Sequence, residues 1–309
     1  MANQRLLEES PPDRVVPSLS SAGWIPLWAL IRLIRPEQWV KNGLVFAALL
    51  YSGELRAATS VGLATLAFVS FCLASSAAYC LNDALDARED RVHPKKRLRP
   101  VAAGLVSPAL AKTLAVFLAG GAILLGFAVR AGLGLIVLVY LSISLLYSFR
   151  LKHAVLLDIL AIASGFVLRA AGGAVAIKVD MSLWFLVAVP LLSLFLAVAK
   201  RRHELLLIAD APNHRPVLGQ YSTQLLDQML AALSATVLMA YFLYAKDTAK
   251  PQLFMLTSPM VVYGVFRYLY LVYRHSAGGD PEELLLTDAP LLVTVGLWTV
   301  VTAAIIYLL

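Results

Sequence analysis

The chain has 309 residues, of which 60% are hydrophobic and only 15% charged, with a formal net charge of +7 and a mean hydropathy of +0.77. A soluble chain carries about a quarter charged residues, so a water-soluble globular protein is excluded. Uncharged runs long enough to cross a bilayer recur along almost the whole sequence, the pattern of an all-α, polytopic membrane protein.

In chain order, residues 1–22 are polar and rich in Pro and Ser, and read as a disordered tail. The first apolar run comes too late, and without a cleavage site, to be a cleavable signal peptide. Residues 23–309 read as one transmembrane domain. It opens on "WIPLWALIRLIRP", whose Trp, Arg and apolar stripe suit a helix lying in the interface. Nine spans follow, at 39–52, 57–81, 108–129, 131–148, 154–177, 181–199, 224–245, 253–273 and 289–309. The first is short enough to tilt or to lie partly in the interface.

Cations gather on the cytoplasmic side of a membrane protein. With the N-terminus inside, eighteen of the 26 Lys and Arg fall in cytoplasmic segments and five on the other side. The expected topology is therefore N-terminus cytoplasmic, in a plasma membrane. These cations border a membrane and interleave with acids, so nucleic acid is excluded as a partner. Anionic headgroups or phosphorylated substrates fit them better. Cys72 and Cys80 lie eight residues apart on one span, ~12 Å along a helix, too far for a disulfide.

The second span ends in "LNDALDAREDRVHPKKRLRP" (81–100), where acids and then cations crowd together. Asp83, Asp86 and Asp90 fall at i, i+3 and i+7, one face of a helix, with Asn82 beside them. Carboxylates on one stripe repel one another, and a hard divalent cation resolves the repulsion. Magnesium takes one or two carboxylates and keeps other positions for water and phosphates. A solvated helix end, with Asp86 or Glu89 paired to Arg88 or Arg91, is the plainer alternative. The run 95–99, "KKRLR", is a topology signal that also places Lys95 and Arg97 within reach of a pyrophosphate.

"NDALDARED" resembles the N-D-x-x-D-x-x-x-D motif of the UbiA superfamily of intramembrane prenyltransferases, nine-helix enzymes with a cytoplasmic-side cavity. The likeness covers essentially the whole chain. Typical members carry a second aspartate-rich motif after the sixth span, and here that place holds "AVAKRRHELLL", with Lys200, Arg201 and Arg202 and only Glu204 as an acid. The stretches "RPEQWVKNGLVFAALLYSG", "YSFRLKHAVLLDILAIASGFVLRA" and "KRRHELLL" are similar to one branch, the decaprenyl-phosphate phosphoribosyltransferases. That resemblance implies a magnesium-dependent transfer of 5-phosphoribose from phosphoribosyl pyrophosphate to a polyprenyl phosphate, giving an arabinan precursor for the cell wall. It makes Asp83, Asp86 and Asp90 the metal-binding and catalytic residues. More anionic groups on the substrates need more cations, and "KRR" supplies them. A prenyltransferase with an aromatic acceptor is the nearest rival, and a transporter a more distant one.

Other polar residues join the candidate substrate site. Lys41 and Asn42 open the first span, as a snorkelling lysine and helix cap or as phosphate ligands, and the resemblance favours phosphate. Tyr147, Arg150 and Lys152 close the fourth span. Asp158 and Arg169 are eleven residues apart on the fifth, ~16 Å along the axis, too far to pair. Arg169 near mid-membrane must meet an anion, from a partner helix or a substrate phosphate. Gly165, Gly172 and Gly173 read as close-packing positions, and Arg267 as structural. Self-association into a homo-oligomer is left open.

Overall fold

The computed structural model describes residues 26–92, 96–207, 216–274, 284–285 and 287–308. The tail expected over 1–22 lies outside them, as does Lys95. Every described element is helical, and eight helices are long and apolar enough to cross a membrane. The protein is therefore polytopic.

A short helix α1 (Leu27–Ile34) comes first, with Trp28 and Ile31 exposed and Ala29 and Leu33 buried. Arg35 then takes a left-handed turn (φ 52) into Pro36, and a 3-10 segment, Pro36–Phe46, runs into α2 (Ala47–Tyr51). This is the short first span of the sequence reading, and it is not one of the eight long helices. A 3-10 helix rises ~2.0 Å per residue against 1.5 Å in an α-helix. Eleven 3-10 residues and five α residues therefore reach ~30 Å, the thickness of a hydrocarbon core.

The long helices are α3 (Ala58–Leu85), α5 (Pro108–Val129), α6 (Ala131–Phe149), α7 (Leu157–Ile177), α8 (Leu183–Leu207) and α9 (Thr223–Lys246). After them come α10 (Pro251–Met255), continuous with α11 (Ser258–Arg274), and α12 (Ala289–Tyr307). A short α4 (Ala87–Val92) follows α3. Caps fix several starts: Ser107 accepts from Leu110 N, Ser222 from Leu225 N, and Asp288 from Leu291 N.

Small residues set the packing, as expected where lipid offers no hydrophobic drive between helices. Ala67, Ala74, Ala111, Ala115 and Ala122 are buried between α3 and α5, and Ser70 Oγ donates across to the Ala122 carbonyl at 2.8 Å. At Gly173 a Cβ would stand 2.0 Å from the Val45 carbonyl oxygen. Only glycine lets α7 lie that close to the 3-10 segment. Outward positions such as Val116, Phe117 and Leu124 on α5 are exposed and face lipid.

Candidate functional site

The bundle encloses a cavity of about 2030 Å³. Along α8 its lining runs from Phe185 to Glu204, about 28 Å of helix, so it extends through nearly the full depth of a bilayer. One end is charged. Arg35, Lys41, Lys96, Arg99, Lys200 and Arg201 border it there, and the acid among them is Glu204. The other end is aromatic, with Tyr51, Phe185, Tyr241, Tyr244 and Trp298.

The acidic motif sits behind the charged end. The sequence reading put Asp83, Asp86 and Asp90 on one continuous helical face. The chain instead breaks at Asp86 (φ −89, ψ 5), where α3 ends and α4 begins. The break divides the stripe. Asp83 and Asp90 stay together, buried at 1% and 3% exposure, while Asp86 turns to Lys152 Nζ at 2.7 Å.

Arg99 Nη1 joins the first two, lying 2.6 Å from Asp90 Oδ2 and 3.5 Å from Asp83 Oδ1. Arg35 Nη2 donates to the same Asp83 oxygen at 2.5 Å, and its guanidinium lies over the Tyr79 ring. Sequence reasoning does not nominate Arg35 or Arg99 as ligands, although Arg35 opens a stretch that carries the resemblance and Arg99 closes the basic run 95–99. A topology signal and a substrate contact look alike in sequence.

Among the described residues no group of three His, Cys, Asp or Glu side chains is close enough to hold a metal ion unaided. Magnesium does not need three, since substrate phosphates and water complete its shell. Asp83 Oδ2 is buried and, among the described residues, has no hydrogen-bond partner. An orphaned Asp83 oxygen, with the Asp90 carboxylate held beside it by the shared Arg99, is a hard-oxygen donor set that suits magnesium once phosphate and water complete the shell.

On α8, successive residues point ~100° apart, and the basic triplet divides accordingly. Lys200 borders the cavity. Arg201, 1% exposed, turns between α7 and α8, where Nε donates to Asp158 Oδ2 at 2.6 Å and Nη1 pairs with Glu204. Its Nη2 lies 3.5 Å from the Tyr147 hydroxyl, and its edge still borders the cavity.

Arg202 points away altogether, to Asp227 at 2.5 Å, over the Tyr273 ring at 4.3 Å, and to the Val272 carbonyl. The expectation that Arg202 faces substrate is thereby corrected. Asp158, fully buried, is likewise a partner of Arg201 rather than a lining residue. The Tyr221 hydroxyl donates to it at 2.7 Å and accepts from Leu156 N at 2.7 Å. Burial pushes the Tyr221 phenol up to about 12, so it remains a donor at neutral pH.

Asn82 borders the cavity and its Oδ1 accepts from Ser148 Oγ at 2.5 Å. Lys41 donates to Gln38 Oε1 at 2.6 Å. Arg97, in the middle of the 3-10 turn Lys96–Leu98, and Arg150, the C-cap of α6, are exposed and outside the lining. Asn42 is fully buried in the 3-10 segment. It does not border the cavity but bonds to Arg169, which does. Arg169 finds neutral partners in place of the expected anion: the Asn42 amide, the Gly165 carbonyl and the Tyr140 hydroxyl. Arg267 pairs with Asp288 at 2.8 Å, the structural role expected of it.

Comparison with known proteins gives the family and the fold. The profile of the UbiA prenyltransferase family matches residues 43–287. The chain is 36% identical over 294 residues to a decaprenyl-phosphate phosphoribosyltransferase of Mycolicibacterium smegmatis, covering 90% of this chain and 92% of that one. It is 35% identical to the protein of the same name from Corynebacterium glutamicum, covering 91% and 87%. Among solved structures, a UbiA homolog from Archaeoglobus fulgidus bound to GPP and Mg2+ superposes with a TM-score of 0.73 at 19% identity, over 90% of this chain and 99% of that one. The chain belongs to the UbiA prenyltransferase family.

Proposed function

We propose that this protein transfers 5-phosphoribose from phosphoribosyl pyrophosphate to a polyprenyl phosphate, a decaprenyl phosphate by likeness to its relatives, in lipid-linked cell-wall precursor synthesis. The observation that carries the reading is the charged end of the cavity. Lys200 stands on α8 where typical family members place a second acidic motif, joined by Arg35, Lys41, Lys96 and Arg99. Glu204, the acid bordering that end, is committed to Arg201. A site so rich in cations is built for substrates with several phosphate groups. A prenyl diphosphate brings one diphosphate, whereas this donor and acceptor together bring a diphosphate and two phosphate monoesters.

In the reaction an oxygen of the lipid phosphate attacks C1 of the ribose. The C1–O bond to pyrophosphate breaks, and its electron pair leaves with pyrophosphate. The acceptor oxygen is already ionised, so no strong general base is required. Arg35, Arg99, Lys96 and Lys200 bind and orient the donor's diphosphate. Asp83, with Asp86 and Asp90 beside it, would hold magnesium, which when bound neutralises charge on the leaving group. The apolar length of the cavity takes the polyprenyl chain and keeps bulk water from the reacting carbon.

The charged end lies on the cytoplasmic side of the plasma membrane, where eighteen of the 26 cations gather. A cysteine introduced at position 97 is then labelled from the cytoplasm and one at 248 from outside. The reverse pattern would overturn the orientation. The donor is tested by direct titration of the purified protein. Phosphoribosyl pyrophosphate with magnesium should bind saturably and resist competition by prenyl diphosphates. The opposite preference would assign the chain to prenyl transfer.

A further inference from the structure

Eleven residues along α7 from Asp158, about 16 Å deeper, Arg169 is 6% exposed and borders the cavity. Its Nε donates to Asn42 Oδ1 at 2.6 Å, Nη1 to the Gly165 carbonyl at 2.7 Å, and Nη2 to the Tyr140 hydroxyl at 2.9 Å. The Tyr140 and Phe166 rings lie 4.8 and 5.6 Å from its guanidinium carbon. Asn42 is fixed in turn, its Nδ2 donating to Cys72 Sγ at 3.3 Å and Ser75 Oγ at 3.2 Å. Four elements thus hold one cation rigidly at a set depth.

Among the described residues its partners are all neutral. Dipoles orient a buried charge but do not cancel it, and such a charge in an apolar setting calls for a counter-ion. A guanidinium has five N–H donors, and these three bonds leave two for a ligand.

We infer that Arg169 and Tyr140 form a second anion subsite, below the charged end, that takes a phosphate monoester. The inference rests on the phosphoribosyl-transfer reading, in which both substrates carry such a group: the 5-phosphate of the donor and the phosphate of the lipid. The diphosphate belongs to the upper level. Two helices give the same spacing between the levels. Ser75 and Asn82 on α3, and Tyr140 and Tyr147 on α6, all border the cavity, and each pair is seven residues, about 10 Å, apart. Long Arg and Lys side chains narrow that gap. A sugar with anionic groups at both ends, or a lipid phosphate held beneath a diphosphate, engages both levels. Arg169 then sets which end of the donor enters first, or how far the acceptor rises.

The test measures binding of three probes, ribose 5-phosphate, a polyprenyl phosphate and inorganic pyrophosphate, to purified wild type, Arg169→Met, Arg169→Lys and Tyr140→Phe. Arg169→Met should weaken one monoester about ten- to a hundredfold and leave pyrophosphate unchanged. Loss confined to ribose 5-phosphate assigns the subsite to the donor, and loss confined to the lipid assigns it to the acceptor. Arg169→Lys should recover part of the loss. Tyr140→Phe, which keeps the ring in place, should lose severalfold and carries the same comparison if Arg169→Met does not fold. Equal weakening of all three probes would make Arg169 a structural bolt and overturn the subsite, as would unchanged binding of both monoesters. Loss of lipid-phosphate binding in Arg169→Met, together with a wild type that fails to bind phosphoribosyl pyrophosphate in a separate direct titration, would instead overturn the donor reading and keep the subsite.

Discussion

The two ends of the cavity are built from different physics. The charged end depends on chain breaks: the left-handed Arg35, the kink at Asp86 and the left-handed Leu156. Ion pairs such as Arg35–Asp83, Arg99–Asp90 and Arg201–Asp158 then tie the broken pieces together. The aromatic end has few charges. Tyr51 on α2 meets Phe185, Tyr244 and Trp298 from three other helices, with ring centroids 5.8 to 6.4 Å apart. Hydrogen bonds there, such as Trp298 Nε1 to the Tyr241 hydroxyl at 2.9 Å, orient rings rather than bind charge. Ion pairs are directional and fail sharply when one partner is removed, whereas ring packing is broad and tolerant. The same cavity therefore combines an end that fixes chemistry with an end that fits a chain.

That contrast orders the expected effects of mutation. The largest belongs to the buried pair. Asp158→Ala leaves Arg201 buried with one carboxylate fewer, and should cost ~3–5 kcal/mol in unfolding measured in detergent. The pair of Arg202 and Asp227, whose carboxylate is 37% exposed, offers the control, since Asp227→Ala should cost less than ~1 kcal/mol. Similar losses at both sites would mean that burial does not distinguish them.

Next comes the acidic motif. Asp86 is partly exposed and paired with Lys152, so Asp86→Asn tests charge with little structural penalty. Turnover should fall by ~100-fold or more, as it should on chelating divalent ions, with the melting temperature nearly unchanged. Full activity in both conditions would remove magnesium from the account.

A smaller effect is expected at the cavity-facing cation of α8. Lys200→Ala should weaken phosphoribosyl pyrophosphate binding by ~10- to 100-fold, while Arg202→Ala, which faces the other way, leaves it unchanged. Equal effects from the two would contradict the division of the basic triplet.

The smallest effect belongs to the aromatic end. Trp298→Leu removes ring contacts worth ~0.5–1.5 kcal/mol, and should raise KM for the polyprenyl phosphate two- to tenfold without touching KM for the donor. A change in donor KM would show that the two ends are not separable.

The sequence displayed the charged end more openly than the aromatic one. Asp83, Lys200 and Arg169 are conspicuous because charge is scarce in an apolar chain. Their partners were less legible. Arg35 and Arg99 read equally well as topology signals, and the break at Asp86 depends on backbone angles that no i, i+3, i+7 count reveals. The pairing of Asp158 with Arg201 joins residues 43 positions apart, which one helix's periodicity cannot specify. Tyr51, Tyr244 and Trp298 are ordinary belt or packing residues in sequence, and only the convergence of α2, α9 and α12 makes them one wall. The short first span was visible as short, but its gain of length through a 3-10 conformation was not.

The central claim is the identity of the transferred group. Purified protein given phosphoribosyl pyrophosphate labelled in the ribose, magnesium and a polyprenyl phosphate should yield a labelled lipid and one pyrophosphate for each lipid formed. Label that stays in the aqueous phase, while the same preparation moves a prenyl group from a prenyl diphosphate to an aromatic acceptor, would contradict it.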